Sequence, residues 1–233
     1  MKIAITGEQG FIGMHLTDYF RRILKFEVIE LGRNYLEKLA NVENLDWLIH
    51  GACIQRHLNP EMVLTLNRAL NKATLKCLKT NNISCNVIHL SSVQEESYSF
   101  YAISKIETNQ LFQEFCSQNN KTFISLKLPN VFGKYAVPNK TSFIATFCYN
   151  LHNQLPVNYN SNKVNLIYID EVLPLISDLK QITIPYLETN VQDVYLKLHQ
   201  FYLIDINKEF PELKNKFELN LYQTFLSYSK YKL

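Results

Sequence analysis

The 233-residue chain lacks several features that would have declared its class at once. Its five cysteines, Cys53, Cys77, Cys85, Cys116 and Cys148, are odd in number and far apart, and none forms a C-x-x-C pair. That pattern excludes a disulfide framework and a zinc ribbon. His57, His152 and His199 show no ligand spacing and read as structural or surface residues, so no metal site is expected. No apolar run approaches the ~18 residues of a membrane span. Met1-Lys2-Ile3-Ala4-Ile5 runs straight into a glycine motif, with no room for a signal peptide. An excess of one charge is missing too. With 24 basic and 21 acidic residues the net charge is +3, too little to imply nucleic acid or a membrane surface as partner. What remains is 47% apolar and 19% charged, which excludes disorder and a collagen-like chain. The length suits one core, or one domain with a small appendage. The expectation is a soluble, globular, cytoplasmic protein.

Short apolar runs alternate with amphipathic stretches. Strands are expected at Lys2–Thr6, Phe26–Leu31, Asp46–His50, Cys85–Leu90 and Thr122–Leu128. Between them, Phe11, Ile12, Leu16, Tyr19 and Phe20 recur at helical spacing. A short helix is expected near Tyr35–Ala40 and longer ones from Asn59-Pro60 to Lys79 and from Phe100 to Ser117. After a loop rich in proline and asparagine come an apolar helix near Ser142–Leu151, a strand at Val164–Tyr168, and helices from Asp170 and over Val191–Phe201. The alternation implies a doubly wound α/β fold: a parallel sheet covered by helices on both faces. It weakens after about residue 130, where a small capping lobe is expected.

Gly7, Gly10 and Gly13, with Phe11 and Ile12 between the last two, join the first strand to the first helix. The spacing is G-x-x-G-x-x-G. A dinucleotide pyrophosphate needs a tight turn there, close backbone approach, and a helix N-terminus facing the phosphates. The chain therefore reads as one NAD(P)-binding, Rossmann-like domain over residues 1–233. The second strand closes on Glu30-Leu31-Gly32-Arg33. If the position that reads the ribose is Glu30, NADH is favoured. If it is Gly32, the carboxylate is missing and Arg33 can hold a 2′-phosphate. The reading leans to NADP(H), with NAD(H) open.

Tyr101 and Lys105 stand four residues apart on the long helix, hence on one face. A neighbouring ammonium is expected to lower the phenol's pKa, so that Tyr101 can pass a proton to a carbonyl oxygen as hydride reaches the carbon. Lys105 can also bond the nicotinamide ribose. Ser91 and Ser92 close the fourth strand, where ligands bind in open α/β sheets; Ser92 is chosen over Ser91 to hold the carbonyl, and Ser91 is a candidate for substrate contact.

These residues resemble an extended short-chain dehydrogenase/reductase of the nucleotide-sugar type, the NAD-dependent epimerase/dehydratase family. The likeness rests on Thr6-Gly7-x-x-Gly10-Phe11-Ile12-Gly13, Ser91-Ser92, Tyr101-x-x-Ser104-Lys105, Lys127-Leu128-Pro129-Asn130-Val131-Phe132-Gly133 and Tyr168-Ile169-Asp170-Glu171-Val172. A narrower likeness, over Pro129–Lys134, Pro138-Asn139, Ser142, Ile144–Tyr149 and Leu221–Tyr228, is to the reductase domain of the capsular-polysaccharide enzymes that make UDP-N-acetyl-L-fucosamine. There a cupin domain epimerises C3 and the N-terminal domain reduces a 4-keto group with NADPH. This chain stops at Leu233, before a cupin, so reduction is the step expected of it, with a separate cupin-type epimerase as a partner. The resemblance also implies a homodimer. The family's His-x-Ala-Gly reads His50-Gly51-Ala52-Cys53, placing Ala52 by the cofactor, and Lys127 stands where arginine is common.

The expected reaction is therefore reduction of a 4-keto-6-deoxy nucleotide sugar. A dehydratase is disfavoured, since Ser92-Val93-Gln94 lacks the acid and base that a Thr-Asp-Glu run supplies, and Glu95 and Glu96 read as solvated loop charges. A 4-epimerase with tightly held NAD, and a non-catalytic NADP-binding sensor, are the alternatives. Asn130, Asn139 and Ser142 follow the fifth strand and are candidates for substrate contact, with Arg56 and Asn67 after them. Phe143, Phe147 and Tyr149 read as core.

Overall fold

The computed structural model describes residues 1–140 and 142–231. Thr141, inside the Pro138–Ser142 loop singled out above, lies outside the described residues, as do Lys232 and Leu233. The chain divides into two compact units. The first comprises Met1–Leu128 and Leu173–Ile184; the second comprises Pro129–Val172 and Pro185–Leu233.

The first unit is built on a five-stranded parallel sheet in the order β2-β1-β3-β4-β5, flanked by helices. Its strands are β1 (Lys2–Thr6), β2 (Glu27–Glu30), β3 (Trp47–His50), β4 (Asn86–Ser92) and β5 (Phe123–Leu128). Its helices are α1 (Phe11–Asp18), α2 (Tyr35–Ala40), α3 (Pro60–Thr80) and α4 (Phe100–Gln118), and a π-helical turn, Tyr19–Ile23, continues α1. In β1, Ile3, Ala4 and Ile5 are fully buried, as a central parallel strand requires. One continuous core joins Ala4, Leu48 and Val87 of the sheet to Leu39 of α2, Leu75 and Leu78 of α3, and Phe112 and Phe115 of α4. The Asn59 side chain accepts from the Glu61 amide, and Pro60 follows it, so α3 starts where its cap and its proline both put it.

The expected strands are found with ends shifted by a residue or two, and one shift matters. The fourth strand continues to Ser92, so both serines lie inside it and point to opposite faces. β5 ends the order β2-β1-β3-β4-β5, and a side chain dresses its open edge. The Gln181 amide accepts from Ser125 N–H at 3.0 Å and donates to its carbonyl at 2.7 Å.

The second unit departs from an all-parallel plan. Its sheet, β6 (Asn130–Phe132), β7 (Lys163–Tyr168) and β8 (Leu187–Asn190), pairs β6 with β7 in parallel and β7 with β8 antiparallel. The sequence reading missed β6, β8 and α8 (Lys216–Ser227). β6 is three residues long, and β8 is a Leu-Glu-Thr-Asn run, exposed at Leu187 and Glu188 and half-buried at Thr189 and Asn190, without apolar alternation. The other helices are α5 (Phe143–His152) and α7 (Val191–Ile206), and the boundary between the units falls within α6 (Ile169–Ser177). Aromatic packing holds this unit: His152 stacks on Phe225 at 4.2 Å, and buried Tyr228 donates to the Ala136 carbonyl at 2.5 Å.

β3 and β4 each bury a histidine, His50 and His89, at 1% exposure. Desolvation pulls the His50 imidazole down to about 4 and His89 well below its usual value. A folded value below the unfolded one means that the folded state binds fewer protons. The stabilisation is complete above about pH 6.5 and is lost as the pH falls through about 4, at a cost of about 3 kcal/mol for His50. Histidine NMR signals should therefore include two imidazoles that stay neutral from pH 8 to about 5, while the urea midpoint falls over the acid side of that range. Titration of either ring near 6.5 in the folded protein is the contrary result.

Candidate active site

The β1–α1 loop is shaped by what it cannot accommodate. Gly7 has φ +75°, and a Cβ there would lie 2.9 Å from the Ala52 amide nitrogen. A Cβ on Gly13 would lie 2.2 Å from the Gly7 carbonyl oxygen. The loop is thus folded tightly on itself, with Gly10 N–H donating to Gly7 O at 2.9 Å, and it lies against the segment following β3. Phe11 is buried and Ile12 half-buried at the start of α1. No side chain caps that helix and no acid stands in its first turn, so its leading amides keep their donor capacity for an anion. β1 has β2 on one side and β3 on the other, which is the switch point of an open α/β sheet. Glycines without room for a Cβ and an uncapped helix N-terminus fit a dinucleotide pyrophosphate.

The end of β2 gathers Glu30, Gly32, Arg33 and Lys38 with Glu8 of the glycine loop. Glu30 is exposed and tied to Arg21 at 2.7 Å. Gly32 follows the strand, and its N–H donates to the carboxylate of Glu8, a buried residue of the glycine loop, at 2.7 Å. Arg33 is exposed and makes no ion pair among the described residues. Lys38 of α2 donates to the Glu30 carbonyl at 3.0 Å, and its ammonium stands 3.5 Å from where a Cβ on residue 32 would be.

The candidate catalytic residues come from β4 and α4. Ser99 caps α4 by accepting from Ala102 N–H at 3.1 Å, which sets Tyr101 in the first turn. Lys105, one turn on, is 3% exposed. Its Nζ lies 5.6 Å from the Tyr101 ring centroid and donates to Leu90 O at 2.7 Å, with His89 Nε2 at 3.4 Å. The expected lowering of the Tyr101 pKa does not occur. Burial raises it, and Cys53, hydrogen-bonded to the phenol, raises it further; the ammonium lies over the ring rather than at the oxygen. Ser92 is half-buried at the end of β4, and its Oγ accepts from Gln94 N–H at 3.1 Å. Ser91, on the opposite face, is 4% exposed and donates to Glu95. That commits its hydroxyl inward, away from the substrate-contact role expected of it.

Glu95 is the clearest departure from expectation. Its side chain is 7% exposed rather than solvated. It accepts from Asn109 Nδ2 at 2.8 Å as well as from Ser91, and pairs with Lys127 at 3.3 Å. Of the weaker candidates, Asn67 is buried and clamps the loop after β3, bonding both the N–H and the C=O of Ile54 at 2.8 Å, while Arg56 is exposed on that loop. Asn130, Asn139 and Ser142 all belong to the second unit. Asn130 Nδ2 donates to Asn165 O at 3.3 Å, Asn139 N–H donates to Thr146 Oγ1 at 2.8 Å, and Ser142 caps α5. Sequence reading missed Glu8, Lys38, Cys53, His89 and Asn109. One signal was available: Tyr101, Lys105 and Asn109 follow one another at intervals of four on one helix face. Among the described residues no three His, Cys, Asp or Glu side chains cluster as metal ligands, and no helix is long and apolar enough to cross a membrane.

Residues 3–177, about three quarters of the chain, match the NAD dependent epimerase/dehydratase family. The chain is 29% identical over 179 residues to a UDP-2-acetamido-2,6-beta-L-arabino-hexul-4-ose reductase of Pseudomonas aeruginosa, covering 74% of this chain and 48% of the relative. The chain thus spans about half the length of that curated relative. Among solved structures it is similar to the capsular polysaccharide assembling protein CapF of Staphylococcus aureus, with a TM-score of 0.81 and 25% identity over 100% of this chain and 67% of that one. It shares the fold of RMD of Pseudomonas aeruginosa, solved with NADPH, at a TM-score of 0.80 and 15% identity over 98% of each chain. With its glycine loop, its Tyr101–Lys105 pair and a match over most of its length, the chain belongs to the NAD-dependent epimerase/dehydratase family.

Proposed function

We propose that the protein is an NADPH-dependent reductase of a 4-keto-6-deoxy nucleotide sugar, of the UDP-linked N-acetylhexosamine type, in surface polysaccharide synthesis in the cytoplasm. The observation that carries this is the presence, in one unit, of a pyrophosphate cradle together with Tyr101, Lys105 and Ser92. The reductase relative and the CapF likeness support the substrate class. When bound, the reduced nicotinamide supplies the hydride. Ser92 holds the substrate carbonyl by a hydrogen bond, and Tyr101 donates the proton that the carbonyl oxygen needs as the carbon is reduced. The ammonium of Lys105 holds the ribose and offsets negative charge developing near Tyr101. Arg56, on the loop after β3, is read as a substrate contact of the first unit, and Asn130, Asn139 and Ser142 are the candidates that the second unit carries. Dehydration has no base here, because Gln94 is uncharged and Glu95 is spent on Ser91, Asn109 and Lys127.

The NADPH preference rests on Gly32, Arg33 and Lys38. Residue 32 offers no carboxylate, the Lys38 ammonium stands 3.5 Å from where its Cβ would be, and exposed Arg33 follows it in the chain. Glu8 is spent on the Gly32 amide. A 2′-phosphate suits that arrangement better than a hydroxyl does.

NADPH oxidation, followed by absorbance, tests the reaction with both C3 epimers of a UDP-linked 4-keto-6-deoxy-N-acetylhexosamine. Turnover is expected, and Tyr101→Phe should lower it by roughly 10²–10⁴-fold while leaving calorimetric NADPH binding nearly unchanged. Tight NADPH binding with no turnover on either epimer would identify a sensor instead. In the same calorimeter, Arg33→Ala and Lys38→Ala should each weaken NADPH binding about tenfold and leave NADH unaffected. Wild-type protein that binds NADH more tightly, with the order reversed by Glu8→Gln, would assign the ribose to Glu8.

A further inference from the structure

Lys105 carries its charge at 3% exposure, yet both groups it touches through Nζ are neutral: the Leu90 carbonyl and the His89 ring. A buried ammonium needs more support than that. The hydrogen bonds continue beyond His89. Its Nδ1 lies 2.6 Å from Asn109 Oδ1, and Asn109 Nδ2 donates to Glu95 at 2.8 Å. Donor and acceptor roles then admit one assignment. The Asn109 amide gives its N–H to a carboxylate, so its oxygen accepts, and His89 must donate from Nδ1. That leaves the Nε2 lone pair to face Lys105. Burial keeps the ring from protonating, so it can accept. Every link is therefore polarised in one sense, from the ammonium toward the carboxylate.

We propose that Glu95 is a positioning residue for Lys105, acting through Asn109 and His89 to keep the ammonium charged and aimed beside Tyr101. The inference rests on the catalytic reading of Tyr101 and Lys105 given above. Three elements build the chain. β4 brings His89 and Ser91 to one face, two residues apart. α4 brings Lys105 and Asn109 to one face, four apart, and the turn between β4 and α4 supplies Glu95. The same carboxylate accepts from Ser91, so it also ties the end of β4 on which Ser92 sits. The titratable groups around the lysine are His89 of β4, His50 of β3, Cys53 after β3, Tyr101 of α4 and Glu95. Lys127 of β5, half exposed and 3.3 Å from Glu95, draws part of that charge outward.

The test follows the pH at which Lys105 loses its proton, read from its side-chain ¹⁵N resonance and assigned with Lys105→Arg. Glu95→Gln keeps the size of the side chain and one acceptor oxygen, enough for Ser91 and Asn109, which share a single oxygen of Glu95, but removes the charge. It should move that pH downward, and the alkaline limb of kcat with it. His89→Leu, which cuts the chain and leaves the carboxylate in place, should act in the same direction. Lys127→Met should move both upward, an effect that loss of packing would not produce. Coincident titrations for wild type, Glu95→Gln and Lys127→Met would overturn the proposal. The resonance needs no substrate. A shift there without turnover on any keto sugar would sink the reductase reading and leave the role of Glu95 standing.

Discussion

An ammonium at 3% exposure, with no carboxylate paired to it among the described residues, constrains everything packed around it in the first unit. Its neighbours must be neutral yet able to accept, and their own polar atoms must be satisfied without water. His89 meets this through Asn109 and Glu95. A second line of hydrogen bonds runs beside the first. Ala52 N–H donates to Thr6 Oγ1 at 3.2 Å, Thr6 meets His50 Nδ1 at 2.9 Å, and His50 Nε2 meets Asn71 Oδ1 at 2.9 Å. Asn71 then donates to Thr108, which donates to the Ser104 carbonyl at 2.7 Å. Since the Asn71 amide nitrogen is a donor, its oxygen accepts from Nε2–H, and Thr6 donates to Nδ1. One line thus joins the glycine-loop strand, β3, α3 and α4. The close approach of Ala52 to Gly7 and the position of Lys105 on α4 belong to the same fixed framework.

The first unit was legible because its signals are local and repeated. An apolar strand, three glycines and a helical repeat identify the nucleotide loop within Lys2–Phe20, and proline after an asparagine cap marks the start of α3. The catalytic face was legible from the interval of four between Tyr101 and Lys105. Its support was not, because it depends on strand ends. Ending β4 at Leu90 hides the alternation that sends Ser91 inward and Ser92 outward, and with it the reason for burying Glu95. A glutamate in a Gln-Glu-Glu-Ser run reads as solvated until the two side chains that claim it, Ser91 and Asn109, are known to face the same way. The part that His50 and His89 play in these networks carries no sequence signal, since a histidine in an apolar strand looks the same whether it serves packing or a network.

The second unit was harder for a different reason. β6 is too short for a pattern, and β8 gains its order by antiparallel pairing with β7 rather than by burial. Motif and structure agree best where a polar residue has a local duty. Ser142 caps α5, Asn190 caps α7 and Asn215 caps α8, each accepting from an amide three residues on. The asparagine-rich composition of this region therefore marks helix starts as much as it marks ligand contacts.

The protonation state of Tyr101 bears on the direction of the chemistry. An epimerase must begin by taking a proton from a sugar hydroxyl, which calls for a phenolate. A reductase must begin by giving one to a carbonyl, which calls for a phenol. Burial and the Cys53 thiol both hold Tyr101 in the neutral form. Lys105 does not reverse this, because it is drawn over the ring by Leu90 O and the His89–Asn109–Glu95 line rather than toward the phenolic oxygen. The network that keeps the lysine charged thus also keeps it from ionising the tyrosine. A donor held ready in that way suits reduction of a keto sugar better than oxidation of an alcohol.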